Sequence, residues 1–95
     1  MPKYDTQKCR PELLDPNFLE DLAWVLTAGA DKYSDFNWQE MVSAEGGYLR
    51  YYGALQRHAL ALAQGEQVDP ESGRHHATHI AANAMILHWH DREYK

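Results

Sequence analysis

Five of the six histidines fall in the last thirty residues. Three of them, His75, His79 and His90, share one helical face with Asn83 and Ile86 at spacings of i, i+4, i+8, i+11 and i+15. A histidine pair at i, i+4, such as His75 and His79, can hold a transition metal. The residues between them are His76, Ala77 and Thr78, so there is no HExxH sequence and a zinc-protease site is excluded. His79 and Asn83 are the more informative pair, because they interrupt an otherwise apolar stretch over Ile80–Leu87. Polar groups buried there must find hydrogen-bond partners, and both residues are expected to face a site. His75 and His76 read as exposed residues on the first turns of a helix. His88 and His90 suit its C-terminal end, where a cation complements the helix dipole.

Charge is spread unevenly. Residues 1–45 carry nine acids and four bases, residues 46–65 carry no acid, and residues 66–95 carry five acids and three bases. The acid-free segment holds Arg50, Arg57 and His58. The planar fork of arginine suits phosphate oxygens and stays charged at any working pH, so this segment reads either as a small anion site or as a solvated helix face. A salt bridge to an acid of the first helix is the structural alternative. Glu66, Asp69 and Glu71 cluster in the following turn, dense enough in oxygen ligands for Mg²⁺ bound jointly with substrate phosphates. Asp69 would also serve as a helix cap. Lys8, Arg10 and Lys32 add positive charge if the N-terminal arm folds over the site.

The elements that must position these residues are helical. Met1–Asp15, with Pro2 and Pro11, reads as an ordered arm. Asp15-Pro16 is an N-cap followed by proline at the first helical position, and Phe18, Leu22, Val25, Leu26, Gly29 and Tyr33 follow at helical spacing. The first helix is predicted at 16–33, with Gly29 marking a close approach by another element or the start of the helix end. Trp38–Val42 reads as a turn of helix, broken by Gly46-Gly47. A second helix is predicted at 47–64, with Leu49, Tyr52, Leu55, Ala59 and Leu62 on one stripe and Gly65 as its C′ glycine. A third is predicted at 71–92. A short turn between the last two makes them antiparallel neighbours and brings His58, Glu66, Asp69 and His79 toward one end. No strand alternation, internal repeat or low-complexity tract is visible.

The fold class is therefore all-α, in a single domain over residues 1–95. A chain of 95 residues has a small core, so completion by homo-oligomerisation, at least to a dimer, is expected. The net charge of −5 argues against a duplex nucleic-acid partner. One cysteine, Cys9, excludes an internal disulfide framework. The longest aliphatic run is Ala59–Ala63, too short to span a membrane, and the N-terminus lacks the apolar segment of a secretory signal, so a cytoplasmic location is expected.

Three stretches taken together are familiar: Lys3-Tyr4-Asp5 with Lys8-Cys9-Arg10-Pro11-Glu12-Leu13-Leu14; Val25–Tyr33 followed by Asn37-Trp38; and Tyr51–His58, Gly65-Glu66, Asp69-Pro70-Glu71-Ser72-Gly73, His76, His79 and Asn83. In this order and spacing, from about residue 3 to 88, they resemble the phage and bacterial dATP/dGTP diphosphohydrolase-like family, relatives of the all-α MazG-type nucleotide pyrophosphohydrolases. The resemblance implies a helical module that converts purine deoxynucleoside triphosphates to monophosphate and pyrophosphate, with Mg²⁺ or Mn²⁺ held by carboxylates. The broader MazG pattern carries ExxE and ExxD clusters where this chain has Gln56-Arg57-His58 and His79 with Asn83.

On that reading Glu66, Asp69 and Glu71 hold the metal, and His58, Asp69 or His79 directs the attacking water. Lys8, Arg10, Lys32, Arg50 and Arg57 neutralise the polyphosphate. Tyr33 or Trp38 stacks on the base, and Asn37 or Asn83 reads its edge. The alternative class is a phage-type oligomer that sequesters a nucleotide, including a signalling nucleotide, without turnover. A scaffolding oligomer is a third.

Overall fold

A computed structural model describes residues 8–94 and, among them, contains helices and no strand. The arm residues Lys3-Tyr4-Asp5 lie outside the described residues. After a single 3-10 turn at Pro11–Leu13 come α1 (Pro16–Lys32), α2 (Asn37–Ser43), α3 (Gly47–Ala63) and α4 (His76–Glu93).

The local signals explain most of the boundaries. Asp15 caps α1 by accepting the Asn17 N–H, and Pro16 occupies the first turn. Gly46 takes a left-handed φ of 76° ahead of α3. Gly47 is buried under the end of α2, where a Cβ would collide with the carbonyl oxygen of Met41. At the far end of α3, Gly65 has φ 91°, its N–H bonds the Leu62 carbonyl and the Glu66 N–H bonds the Ala61 carbonyl. That pair of bonds is a Schellman closure, and it turns Glu66 back toward the helices.

Three expectations are corrected. α4 begins at His76, not at 71, because Asp69 organises a turn instead of capping a helix. Its Oδ1 accepts the Glu71 N–H, its N–H bonds the Arg74 carbonyl, and Val68 bridges His75 in antiparallel fashion. His75 is the true cap, its Nδ1 accepting the Ala77 N–H. On α3, Leu49, Tyr52 and Ala59 face solvent, and Leu49 is 72% exposed. The inward stripe is instead Tyr48, Tyr51, Leu55, His58 and Leu62. Of the two readings of Gly29, close approach fails, because a Cβ there would meet open space; its carbonyl accepts the N–H of Tyr33, the residue that caps the end of α1.

α4 is the centre of the molecule. It packs against α1, α2 and α3, whereas α1 and α3 do not touch each other. Val42, Ile86 and Leu87 form the buried core, flanked by Trp38, Tyr51, Leu55, Met85 and Trp89. α3 and α4 run antiparallel: Tyr48 donates to Asp91 at one end, and His58 meets His76 at the other. α1 has no fully buried residue and is tied to α4 through Asp21. No described helix is long and apolar enough to cross a membrane.

Candidate active site

The end of the α3–α4 pair nearest the 64–75 loop gathers the histidines. His58 Nδ1 and His76 Nδ1 lie 2.8 Å apart, and His76 Nε2 is 2.7 Å from Glu66 Oε1. The His58 ring stacks on that of His79, with centroids 4.4 Å apart and planes within 3°. His79 Nε2 is 2.6 Å from Ser72 Oγ, and the Ser72 hydroxyl is 3.2 Å from Asp69 Oδ2. The Asp-Pro-Glu-Ser-Gly turn thus serves as a rigid holder. Asp69 fixes the turn through the Glu71 N–H, Gly73 supplies a left-handed φ of 74°, and Ser72 is presented to His79.

Electrostatics lower the proton affinity of the His58 and His79 rings. Burial, then the neighbouring His79 and His76, push the His58 imidazole below its ordinary value. Burial pushes His79 down too, against the opposing pull of Asp69. For Asp69, burial raises the carboxyl, but the bonds from the Glu71 N–H and the Ser72 hydroxyl outweigh it, so the acid stays ionised.

His79 also borders a cavity of about 580 Å³ between α1, α2 and α4. This is within the size range of small-molecule sites, and the lining is largely apolar. Tyr33, Phe36 and Trp38 stand along it, with Asn37, Tyr51, Met85 and Asn83. The Trp38 ring meets Trp89 edge-on at 5.3 Å, so it is core and cavity wall at once. Phe36 holds φ 59°, an unusual conformation for an aromatic residue. Asn83 donates from Nδ2 to the His79 carbonyl. A carbonyl only accepts, so the amide orientation is fixed and the Asn83 Oδ1 is left as an acceptor.

The structure brings together His58, Glu66, Asp69 and His79 at one point, and Tyr33, Asn37, Trp38 and Asn83 around the adjoining cavity. Lys32 lies over the ring of Tyr33, 5.3 Å from its centroid, and is not itself among the residues lining the cavity. Arg10 is not brought in; it pairs with Glu12 at 3.0 Å. Lys8 is exposed at the start of the described residues. Arg50 and Arg57 are exposed on α3 with no ion-pair partner among the described residues, and α3 never reaches the acids of α1. Glu66, Asp69 and Glu71 do not fit a divalent ion as a set. Glu66 is turned to His76 and Asp69 to its own turn, and among the described residues no three histidine or acidic groups converge to hold an ion.

The model of the dATP/dGTP diphosphohydrolase N-terminal family matches residues 2–95. The chain belongs to that family. A dATP/dGTP diphosphohydrolase of Salmonella phage PMBT28 is 38% identical over 87 residues, which is 92% of this chain and 28% of that phage protein. The chain therefore spans little more than a quarter of the length of the curated relative it matches. No solved structure matches it.

In this dATP/dGTP diphosphohydrolase N-terminal module, sequence reading missed three participants. His76, expected to be exposed, is 4% exposed and sits between His58 and Glu66. Its spacing of three before His79 and seven before Asn83 was the available signal. Ser72, read only as part of a turn, contacts His79. Asp21 accepts from Arg74 Nη1 at 2.7 Å and from Thr78 Oγ1 at 2.6 Å. The Thr78 bond first, and then Arg74, hold the Asp21 carboxyl below the usual carboxylate range.

Proposed function

We propose that this module binds a purine deoxynucleoside triphosphate, dGTP or dATP, and hydrolyses it to the monophosphate and pyrophosphate. The observation that carries the reading is that His79 belongs to both the cavity wall and the hydrogen-bonded histidine cluster. A base in the cavity then places its phosphates beside groups able to accept a proton. The apolar lining and the Tyr33 and Trp38 rings suit a purine face, and the Asn83 Oδ1 suits an exocyclic amino group. Lys32 and Arg57 supply charge for the polyphosphate, and His58 or His79, both held neutral, serves as general base. Mg²⁺ or Mn²⁺ enters here as the counter-ion of the triphosphate. The name carried by the phage relative supports the same substrate class.

The test is incubation of the chain with each deoxynucleoside triphosphate and Mg²⁺ or Mn²⁺, with separate detection of pyrophosphate and phosphate. Pyrophosphate from dGTP and dATP but not from dCTP or dTTP is the expected result; no release from any of them sinks the reading.

One observation favours a second reading, in which the module binds and sequesters a nucleotide without turnover: the turn carboxylates are engaged with protein groups. In either case we propose a homo-oligomer, supported by the apolar residues left on the outer faces of α3 (Leu49, Tyr52, Leu60) and α1 (Leu19, Trp24). A monodisperse species of 11.0 kDa by light scattering would rule that out.

A further inference from the structure

We infer that Glu66 and His76 act as a relay that fixes His58 in the tautomer with its proton on Nδ1 and its lone pair on Nε2. The kinetic side of this inference rests on the functional reading above; the tautomers do not.

The assignment follows from donor and acceptor counting. The Glu66 carboxylate only accepts, so the contact from His76 Nε2 to Glu66 Oε1 requires a proton on that nitrogen. With its single ring proton on Nε2, His76 presents a bare Nδ1. The facing His58 Nδ1, 2.8 Å away, must supply the proton between them. A neutral His58 is left with its lone pair on Nε2. That nitrogen has no partner among the described residues, and the only sealed, unpartnered side-chain nitrogen or oxygen among them is His90 Nδ1. Stacking on His79 holds the plane of the His58 ring from a second direction.

The consequence for chemistry is directional. When His58 Nε2 takes the proton of an attacking water, the water oxygen bonds to the α-phosphorus and the bridging oxygen leaves with pyrophosphate. The positive charge formed on His58 faces His76, whose Nδ1 lone pair is backed by Glu66. His58 is then the catalytic residue, and His76 and Glu66 are positioning residues that work through it, in the way that second partners orient a working histidine.

Long-range proton–nitrogen NMR of the labelled chain without nucleotide tests this directly. Expected are an Nδ1–H tautomer for His58 and an Nε2–H tautomer for His76. An Nε2–H tautomer at His58 overturns the relay, including the case in which two bare Nδ1 atoms face each other across a shared cation. His76→Gln, whose amide reaches only the Glu66 side, should return His58 to Nε2–H. His76→Asn, whose amide sits where Nδ1 was, should keep His58 as Nδ1–H. Glu66→Ala, at a half-exposed position, serves if the His76 variants fail to fold, and should likewise release the His58 tautomer. With dGTP, His76→Gln should lower kcat about tenfold or more at little change in KM, and His76→Asn should recover part of it. Equal kcat in the wild type and His76→Gln overturns the relay. A wild type without turnover sinks the functional reading alone, and the tautomers still decide the relay.

Discussion

The rings of His58 and His79 lie parallel, 4.4 Å between centroids, although they come from different helices and 21 positions separate them in sequence. Two imidazoles so placed cannot both be charged cheaply, and burial lowers the proton affinity of each.

Stability should therefore depend on pH. In the unfolded chain both histidines titrate near their ordinary value of about 6.5. In the folded chain both titrate lower, so between the two values the unfolded state binds more protons. Folding stability is full above about pH 6.5 and falls as pH drops toward the folded-state values. Thermal unfolding at pH 7.5 and 5.5 should show a lower Tm at the acid pH, and His58→Phe should shrink the difference. A Tm that rises on acidification contradicts this.

The Asp21 latch has the same sign in a different window. Its carboxyl is held below the usual range, so its contribution is present above about pH 4 and disappears as pH falls through the folded-state value. Thr78→Val removes the hydroxyl at nearly constant volume and should cost about 1–2 kcal/mol by denaturant unfolding at pH 7. An unchanged midpoint would mean that the bond between Thr78 and Asp21 does not hold α1.

Gly47→Ala should be the most damaging single-methyl addition in the chain. The new Cβ would meet backbone oxygens of Met41 and Val42, which cannot swing away as a side chain can. A loss of about 3 kcal/mol is expected from overpacking at this seam. Gly29→Ala, with open space around it, should stabilise α1 by up to about 1 kcal/mol. Equal melting temperatures for the two variants would contradict the packing described between α2 and α3.

Tyr33 is 57% exposed and lies outside the core, so Tyr33→Ala separates binding from folding. Loss of one stacking ring should weaken dGTP binding about tenfold, within a range of about 1–3 kcal/mol, at unchanged Tm. Calorimetric titration reads the first and thermal unfolding the second. Unchanged affinity would move the base away from this end of the cavity.

Caps and glycines were legible in the sequence because their physics is local. Asp15-Pro16 begins α1 and Gly65 closes α3 as their residue types require. The start of α4 was not, since Asp69 satisfies a turn and a helix cap by the same means, and only the Val68–His75 bridge decides between them. The outward stripe on α3 misled for a related reason: Leu49, Tyr52 and Ala59 have the spacing of a buried face, and spacing carries no information on which neighbour covers it. Loop length brought His58 and His79 toward one end of the helix pair, but the stacking of their rings depends on helix rotation, which loop length does not fix. The insertion of His76 between His58 and Glu66 depends on helix rotation, which three-residue spacings fix only once the first residue of the helix is known.

Because α4 is the helix that α1, α2 and α3 all pack against, and it follows them in the chain, the order of synthesis matters. A nascent chain that has emerged as far as Gly73 holds three helices, with α2 touching both α1 and α3, but lacks the helix that covers all of them. Val42 lacks Ile86 and Leu87, Asp21 lacks Thr78, and His58 lacks both histidines that frame it. The seams of α2 with α1 and α3 can close early, whereas the core, the latch and the histidine cluster wait for the stretch ending at Glu93.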